Sequence, residues 1–314
     1  MAVLPPKPCP TLDAADTALE ATQDRKLRSY LGMSQIGRPC ARETWLSFRW
    51  AMIPNFDAGT LKRFADGHAT EAVIIERLKL ADFLQVHDAD ENGEQFGFKD
   101  LGDHFSGNMD GVALGLIEAP KTWHVLEVKC TAEKKLTELK KIVDRVGEKL
   151  ALREWNPVYY AQAVLYMHYA ELERHWLVVA TPGGRDWYSI RTDADPAEAA
   201  RLIALADRII FADEAPHKLQ PDSMACRRCD KSALCHGNAL PERNCRTCLH
   251  VTPDRDGGWM CARHELDLSV ESQRRGCDDH RFNPTMINAA QIDANDAGVT
   301  YSFADGNIYQ DCGL

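Results

Sequence analysis

Between residues 60 and 85, apolar side chains recur at 61, 64, 65, 72, 74, 75, 78 and 80. That spacing predicts one helix with a core-facing stripe, and Thr60 stands where a cap is expected. Helical spacing returns in LTELKKIVDRVGEKLALREW and resumes after Pro157 in VYYAQAVLYMHYAEL. It is clearest in DPAEAARLIALADRIIFAD, which has a capping residue, a proline at its first turn and repeating Ala, Leu and Ile. Before the second of these helices the period changes. EQFGFKD, FSGNMDGVALG and TWHVLEVKC are short strand-like runs cut by turn residues, and RHWLVVATPGGRDWYSIRTD predicts a hairpin turning at PGGR. Residues 25–52 are expected as two helices broken at GRPC. Residues 1–24 are Pro-rich and then polar, expected as a flexible arm, and residues 286–314, polar and without pattern, as a C-terminal tail. The order predicts an α/β chain: a small mixed sheet flanked by helices, then a cysteine-rich end.

Composition narrows this little. The chain has 314 residues, 45% of them hydrophobic, enough to bury a real core. No apolar run has membrane-spanning length, and the first residues lack the charged-then-apolar pattern of a leader, so a cytoplasmic protein with no membrane partner is expected. The net charge of −10 argues against a general nucleic-acid coat, although local charge decides binding at one groove. Residues 121–153 form a basic island of nine Lys/Arg against five acids. On charge alone it is equally a solvated helix face.

The eleven cysteines change the picture more, because seven of them fall between 226 and 277. In a reducing compartment such clustering points to metal. ACRRCDKSALCHG supplies three thiols, Cys226, Cys229 and Cys235, and lacks a fourth. Farther on, Cys245 and Cys248 form a C-x2-C pair followed by Cys261 and Cys277. This resembles a zinc-ribbon-like site and predicts structural Zn2+ within a module at 241–285. His264 or His280 can replace one of the later cysteines. The module carries seven arginines against eight acids, so it suits docking of another protein as well as DNA.

Carboxylates supply the candidate chemistry. Glu127 and Lys129 are i and i+2 on a strand and share a face; Asp110 precedes them in GNMDG. Two carboxylates from adjacent strands make a hard-oxygen site for Mg2+ or Mn2+, and a lysine beside it can steady charge on a phosphate. His68 and Glu71 share one helical face, as do Gln162 and Tyr166, with Tyr159 one turn earlier.

Taken in order, G-x-x-x-E at Gly67 to Glu71, Asp110, E-x-K at Glu127 to Lys129 and Q-x-x-x-Y at Gln162 to Tyr166 resemble the RecB-like branch of the PD-(D/E)xK nucleases. An upstream cysteine followed by C-x2-C-x5-C resembles the iron–sulfur members of that branch, among them AddB-type helicase-nucleases, CRISPR-associated RecB-like exonucleases and bacteriophage exonucleases. The likeness covers roughly residues 30–237, and Met109 stands where the superfamily name has proline.

The resemblance implies a restriction-endonuclease-like core over 25–240. In it Asp110, Glu127 and the carbonyl of Val128 bind the catalytic metal, with Glu71 or His68 as a further ligand. Lys129 is the catalytic lysine, and Gln162 and Tyr166 support it. Cys40 is the upstream cysteine, since Cys9 lies in the arm and Cys130 turns from the active face. With Cys226, Cys229 and Cys235 it is expected to hold a [4Fe–4S] cluster, zinc being the alternative. The implied activity is metal-dependent hydrolysis of DNA from an end, in recombination, repair or phage DNA metabolism, within a bacterium or a phage-infected cell. A recombination or replication protein is the expected partner of the zinc module. The alternatives are a DNA endonuclease and an inactive nucleic-acid-binding accessory protein of the same fold.

Overall fold

Asp57, not Thr60, caps the long helix near the N-terminus: its Oδ1 accepts from the Thr60 backbone N–H at 2.7 Å. The computed structural model describes residues 9–24, 27–295 and 298–313. The residues expected as a loose arm include α1 (Pro10–Ala21), a helix that buries none of its side chains. It is tethered sideways to the long helix by Lys62–Asp16 at 2.5 Å and by Glu20 accepting from the Ala58 N–H at 2.8 Å. The expectation of two helices over 25–52 is half met, and Arg25 and Lys26 lie outside the described residues. β1 (Leu31–Gly32) and a 3-10 turn at Met33–Gln35 replace the first helix, because the Leu31 N–H bonds to His104 O at 2.7 Å. α2 (Ala41–Phe48) is the second.

α3 (Ala58–Lys79) follows. Its apolar stripe reaches the core only in its C-terminal half, where Ile74, Ile75 and Leu78 are buried, while Phe64 stays exposed. Then come β2 (Gln85–His87), β3 (Gly97–Asp100), β4 (Phe105–Asn108), β5 (Gly111–Leu114) and β6 (His124–Cys130). The single helix expected over 136–155 is two, α4 (Glu133–Val146) and α5 (Glu148–Trp155), parted by Gly147 at φ 84°. α6 (Pro157–Tyr169) is capped by Asn156, and β7 (Arg174–Ala180) and β8 (Trp187–Asp193) form the expected hairpin. α7 (Pro196–Ile210) is capped by Asp195.

The central sheet has the order β2-β5-β6-β7-β8. Its β6–β7 pair is parallel and the other pairs are antiparallel. A parallel neighbour requires a crossover, and α4, α5 and α6 provide it. β6 is buried on both sides. Leu126 and Val128 pack with Ile74, Ile75 and Leu78 of α3, whereas Val125 packs in the larger core with α6. The fold is therefore mixed α/β with helices on both faces of the sheet. A second sheet, β1-β4-β3, brings Gly107 against α6. A Cβ there would lie 2.9 Å from the Tyr166 ring, so the glycine lets that helix close on the strand.

α8 (Met224–Arg227) and α9 (Ser232–His236) carry the first cysteine triplet. β9 (Val251–Pro253), β10 (Trp259–Cys261), β11 (Leu266–Asp267) and α10 (Val270–Arg275) form the second cysteine region. Cys245, Cys248, Val251 and Trp259 belong to the same apolar core as α2, α6 and α7. Two buried arginines stitch this contact. Arg49 donates to the carbonyls of Arg246, Val251 and Ala212, and Arg246 donates to those of Phe48 and Ser29 while lying over Trp50 and Trp259. The described part of the expected tail contains strands: β12 (Ala290–Asn295), β13 (Gly298–Ser302) and β14 (Ile308–Asp311) form an antiparallel sheet around Phe282, Tyr301 and Phe303.

Candidate active site

Asp110 sits in the turn between β4 and β5. Gly111 follows at φ 156°, and a Cβ there would lie 2.5 Å from His87 O, so glycine alone lets β5 pair closely with β2 at this point. Asp110 Oδ2 accepts the Val128 backbone N–H at 2.7 Å, which ties the carboxylate to β6 and leaves Oδ1 for the cleft. One residue earlier on β6, Glu127 is only 3% exposed. Its Oε1 accepts from Gln162 Nε2 at 2.8 Å and from Lys129 Nζ, while Oε2 is buried without a hydrogen-bond partner. Gln162 Nε2 lies 3.2 Å from the Tyr166 hydroxyl, and Lys129 Nζ lies 5.4 Å from the centre of the Tyr159 ring. Lys129 also approaches the Val128 carbonyl at 3.4 Å.

α3 supplies the opposite wall. His68 and Glu71 line a cleft of about 550 Å3 together with Lys79, Asp88, Gln95 and Asp110. The pair anticipated from helical spacing is thus brought to Asp110. Glu71 is half-buried and His68 exposed. Asp88 and Gln95 had no signal in the sequence, because the loop before β3 has no period to read, and Lys79, the last residue of α3, was read only as part of a helix.

The electrostatics follow from three carboxyls sharing one space. Burial and then Asp110 push the Glu127 carboxyl up to about 8, against the pull of Lys129. Burial also raises Asp110, opposed by Lys129 and by the Val128 N–H. Glu71 is raised by burial and by Asp110, with Lys129 and His68 acting the other way. Burial disfavours the Lys129 ammonium, but Glu127 and Asp110 outweigh it and hold the charge above the ordinary lysine range. Crowded acids with one buried, unpartnered oxygen are the chemistry of a divalent-cation site. Asp110, Glu127 and Glu71 fit Mg2+ or Mn2+, with the Val128 carbonyl beside them.

The structure gathers eight cysteines about two cavities. Cys40, at the N-cap of α2, lines one narrow cavity with Cys226, Cys229 and Cys235, although 186 residues separate Cys40 from Cys226. Cys245, Cys248, Cys261 and Cys277 line another of about 190 Å3. His264 Nε2 is 3.6 Å from Cys277 Sγ. His280, although it borders that cavity, is engaged by Arg243 and Thr247, each at 3.2 Å, which withdraws it as a replacement ligand. Four thiols on one cavity suit a soft metal or a cluster at either place. Among the described residues, one set of three ligating side chains lies within 4.8 Å of one another: Glu43, Cys229 and Asp230.

No helix among the described residues is long and apolar enough to cross a membrane. No protein-family model and no curated protein matches the chain. Among solved structures it is similar to an alkaline exonuclease from Laribacter hongkongensis, at 13% identity and a TM-score of 0.40 over 58% of this chain and 86% of that one. It is also similar to a phage-related exonuclease from Haemophilus somnus 129PT, at 11% identity and a TM-score of 0.33 over 47% and 69% of the two chains. What the protein does is therefore read from the side chains of the cleft.

Proposed function

We propose that the chain is a metal-dependent DNA exonuclease with a RecB-like, restriction-endonuclease-like core. The observation that carries this reading is the meeting of Asp110, Glu127, Lys129, Gln162 and Glu71 from a turn, a strand and two helices, with Glu127 Oε2 buried and unpartnered. Mg2+ or Mn2+ held there would polarise the scissile phosphate and lower the pKa of an attacking water. Asp110 is fixed by the Val128 N–H so that its free oxygen faces the cleft. Glu127 is fixed through Oε1 by Gln162 and Lys129, which leaves Oε2 buried and unpartnered behind Asp110 for the cation. Lys129, kept cationic by its acidic neighbours, orients the attacking water or steadies charge on the phosphate. Glu71 is the preferred further ligand over His68, because it is the more buried and its carboxyl feels the charges of Asp110 and Lys129. Tyr166 backs Gln162. The basic residues of α4 and α5 lie next in the chain after β6, beside the path of a DNA backbone.

In this reading Cys40, Cys226, Cys229 and Cys235 hold a structural [4Fe–4S] cluster that clasps the start of the core to its end. Cys245, Cys248, Cys261 and Cys277 hold structural Zn2+, the module around them offering a surface for a recombination or replication protein. The protein works in the cytoplasm of a bacterium or a phage-infected cell.

Digestion of end-labelled linear DNA beside closed circular DNA tests the activity. Cation-dependent loss of the linear form alone supports an exonuclease. Nicking of the circle makes it an endonuclease. Binding to both without cleavage, by protein with its metals loaded, makes it an accessory factor.

A further inference from the structure

The N-terminal half of α3 leaves an apolar side chain in water, beside a groove lined by both apolar and cationic side chains. Phe64 is 47% exposed and meets Phe56, 39% exposed, ring centres 5.1 Å apart and nearly perpendicular. Both line a groove of about 710 Å3 whose other walls come from residues 27–38, from the end of α2, from residues 50–55 and from the segment 228–231 between the cysteines of the first quartet. Four basic side chains enter it. Arg38 is paired with Glu43 at 2.6 Å and Lys231 with Asp230 at 3.0 Å, while Arg28 and Arg228 are exposed. The groove therefore carries two positive charges beyond its acids, in a chain of net charge −10.

Phe64, His68 and Glu71 follow one another on a single face of α3, at spacings of four and three. The groove begins at Phe64, and the cleft takes up at His68 and Glu71. Seven residues of helix span about 10 Å, roughly three nucleotides at the stacked spacing of about 3.4 Å. Exposed aromatic faces in a cationic groove are the chemistry that binds a nucleic-acid strand without reading its sequence. In a duplex the bases stack on one another and are not free to stack on Phe56 or Phe64.

We infer that this groove is a single-stranded DNA path running along α3 to the cleft. Phe56 and Phe64 stack on bases, and Arg28 and Arg228 hold the backbone. The inference builds on the nuclease reading for where the strand leads, but strand binding is measured without cleavage.

The test is fluorescence anisotropy of labelled dT12 with the full metal-loaded chain and no added divalent cation. Phe64→Ala is expected to weaken binding about tenfold and the Phe56→Ala, Phe64→Ala double variant further. Arg28→Ala should lower the slope of log affinity against log salt by about 0.7. Duplex of the same length should bind all forms equally. Because these side chains are exposed, melting temperatures should stay within a few degrees of wild type. Wild-type dT12 affinity and salt slope in the variants would overturn the proposal, as would an equal loss of duplex binding. If the variants lose dT12 binding while the wild type cuts no DNA, the nuclease reading fails and the groove stands. If the wild type cuts and the variants cut long single strands with an unchanged KM, the groove fails alone.

Discussion

Gln162 on α6 donates its side-chain amide to Glu127 Oε1 on β6 at 2.8 Å, and both side chains are buried. This bond fixes which oxygen of Glu127 is left for a cation. Outer partners of this kind set metal affinity without touching the metal. Gln162→Ala should therefore weaken Mn2+ binding about 10- to 100-fold, measured by titration calorimetry, with the far-ultraviolet spectrum unchanged.

Glu127 ties stability to pH and to cations. Its carboxyl is pushed up to about 8 in the folded chain, so the folded state keeps a proton that the unfolded state releases above its ordinary value of about 4.5. Stability is then complete below about 4.5 and is lost as pH rises through about 8. The chelated protein should melt lower at pH 8.5 than at pH 6, and Mg2+ or Mn2+ should restore the difference by binding the folded form. Glu127→Gln should raise the chelated melting temperature at pH 8.5, erase the cation-induced shift and abolish cleavage. Thermal melts across this range check all three effects.

His175 on β7 works in the opposite sense. It is 1% exposed, neither ring nitrogen has a partner, and burial pushes its pKa down to about 3. The unfolded chain takes up a proton near 6.5 that the folded chain refuses, so stability is present above 6.5 and is lost as pH falls toward 3. With Mg2+ saturating, so that Glu127 stays ionised, urea unfolding between pH 6 and pH 5 should show a loss approaching about 1.4 kcal/mol per pH unit from this residue. His175→Leu should flatten that slope.

The two cysteine quartets should be separable by metal analysis after anaerobic purification. About four irons and one zinc per chain are expected. Cys40→Ser should lose iron and keep zinc, and Cys248→Ser should do the reverse. Cys248→Ser should also lower the melting temperature of the whole chain, because its surroundings share one core with α2, α6 and α7. Iron in both quartets would replace the zinc assignment with a second cluster.

The sequence made the centre of the cleft legible and its margins not. Glu127 and Lys129 are two apart on a strand, and Gln162 and Tyr166 four apart on a helix. Periodicity alone puts each pair on one face, and the hydrogen bonds join the two faces. Asp110 needed the strand order, which periodicity does not contain. α1 was hidden because a helix that buries nothing has no apolar stripe. β12 to β14 were hidden because all six residues of β12 are exposed, so no alternation marks it. Residues 31–35 looked helical, yet Leu31 and Gly32 pair with β4, a contact between positions 74 residues apart that no local signal reports. His280 suited a ligand by spacing, and only its bonds to Arg243 and Thr247 show that it serves the β12–β14 side instead.

Lys129→Ala tests the central claim most directly. This lysine sits on β6 between the acids and Tyr159 and is assigned to orient the attacking water or stabilise charge that develops during hydrolysis. Wild-type and variant protein of equal iron and zinc content would be compared on end-labelled linear DNA with Mg2+ or Mn2+. The account predicts cation-dependent release of labelled product by the wild type and a rate about 10²- to 10³-fold lower for the variant, with DNA binding retained. Equal rates in the two proteins, or no cleavage by the loaded wild type, would contradict it.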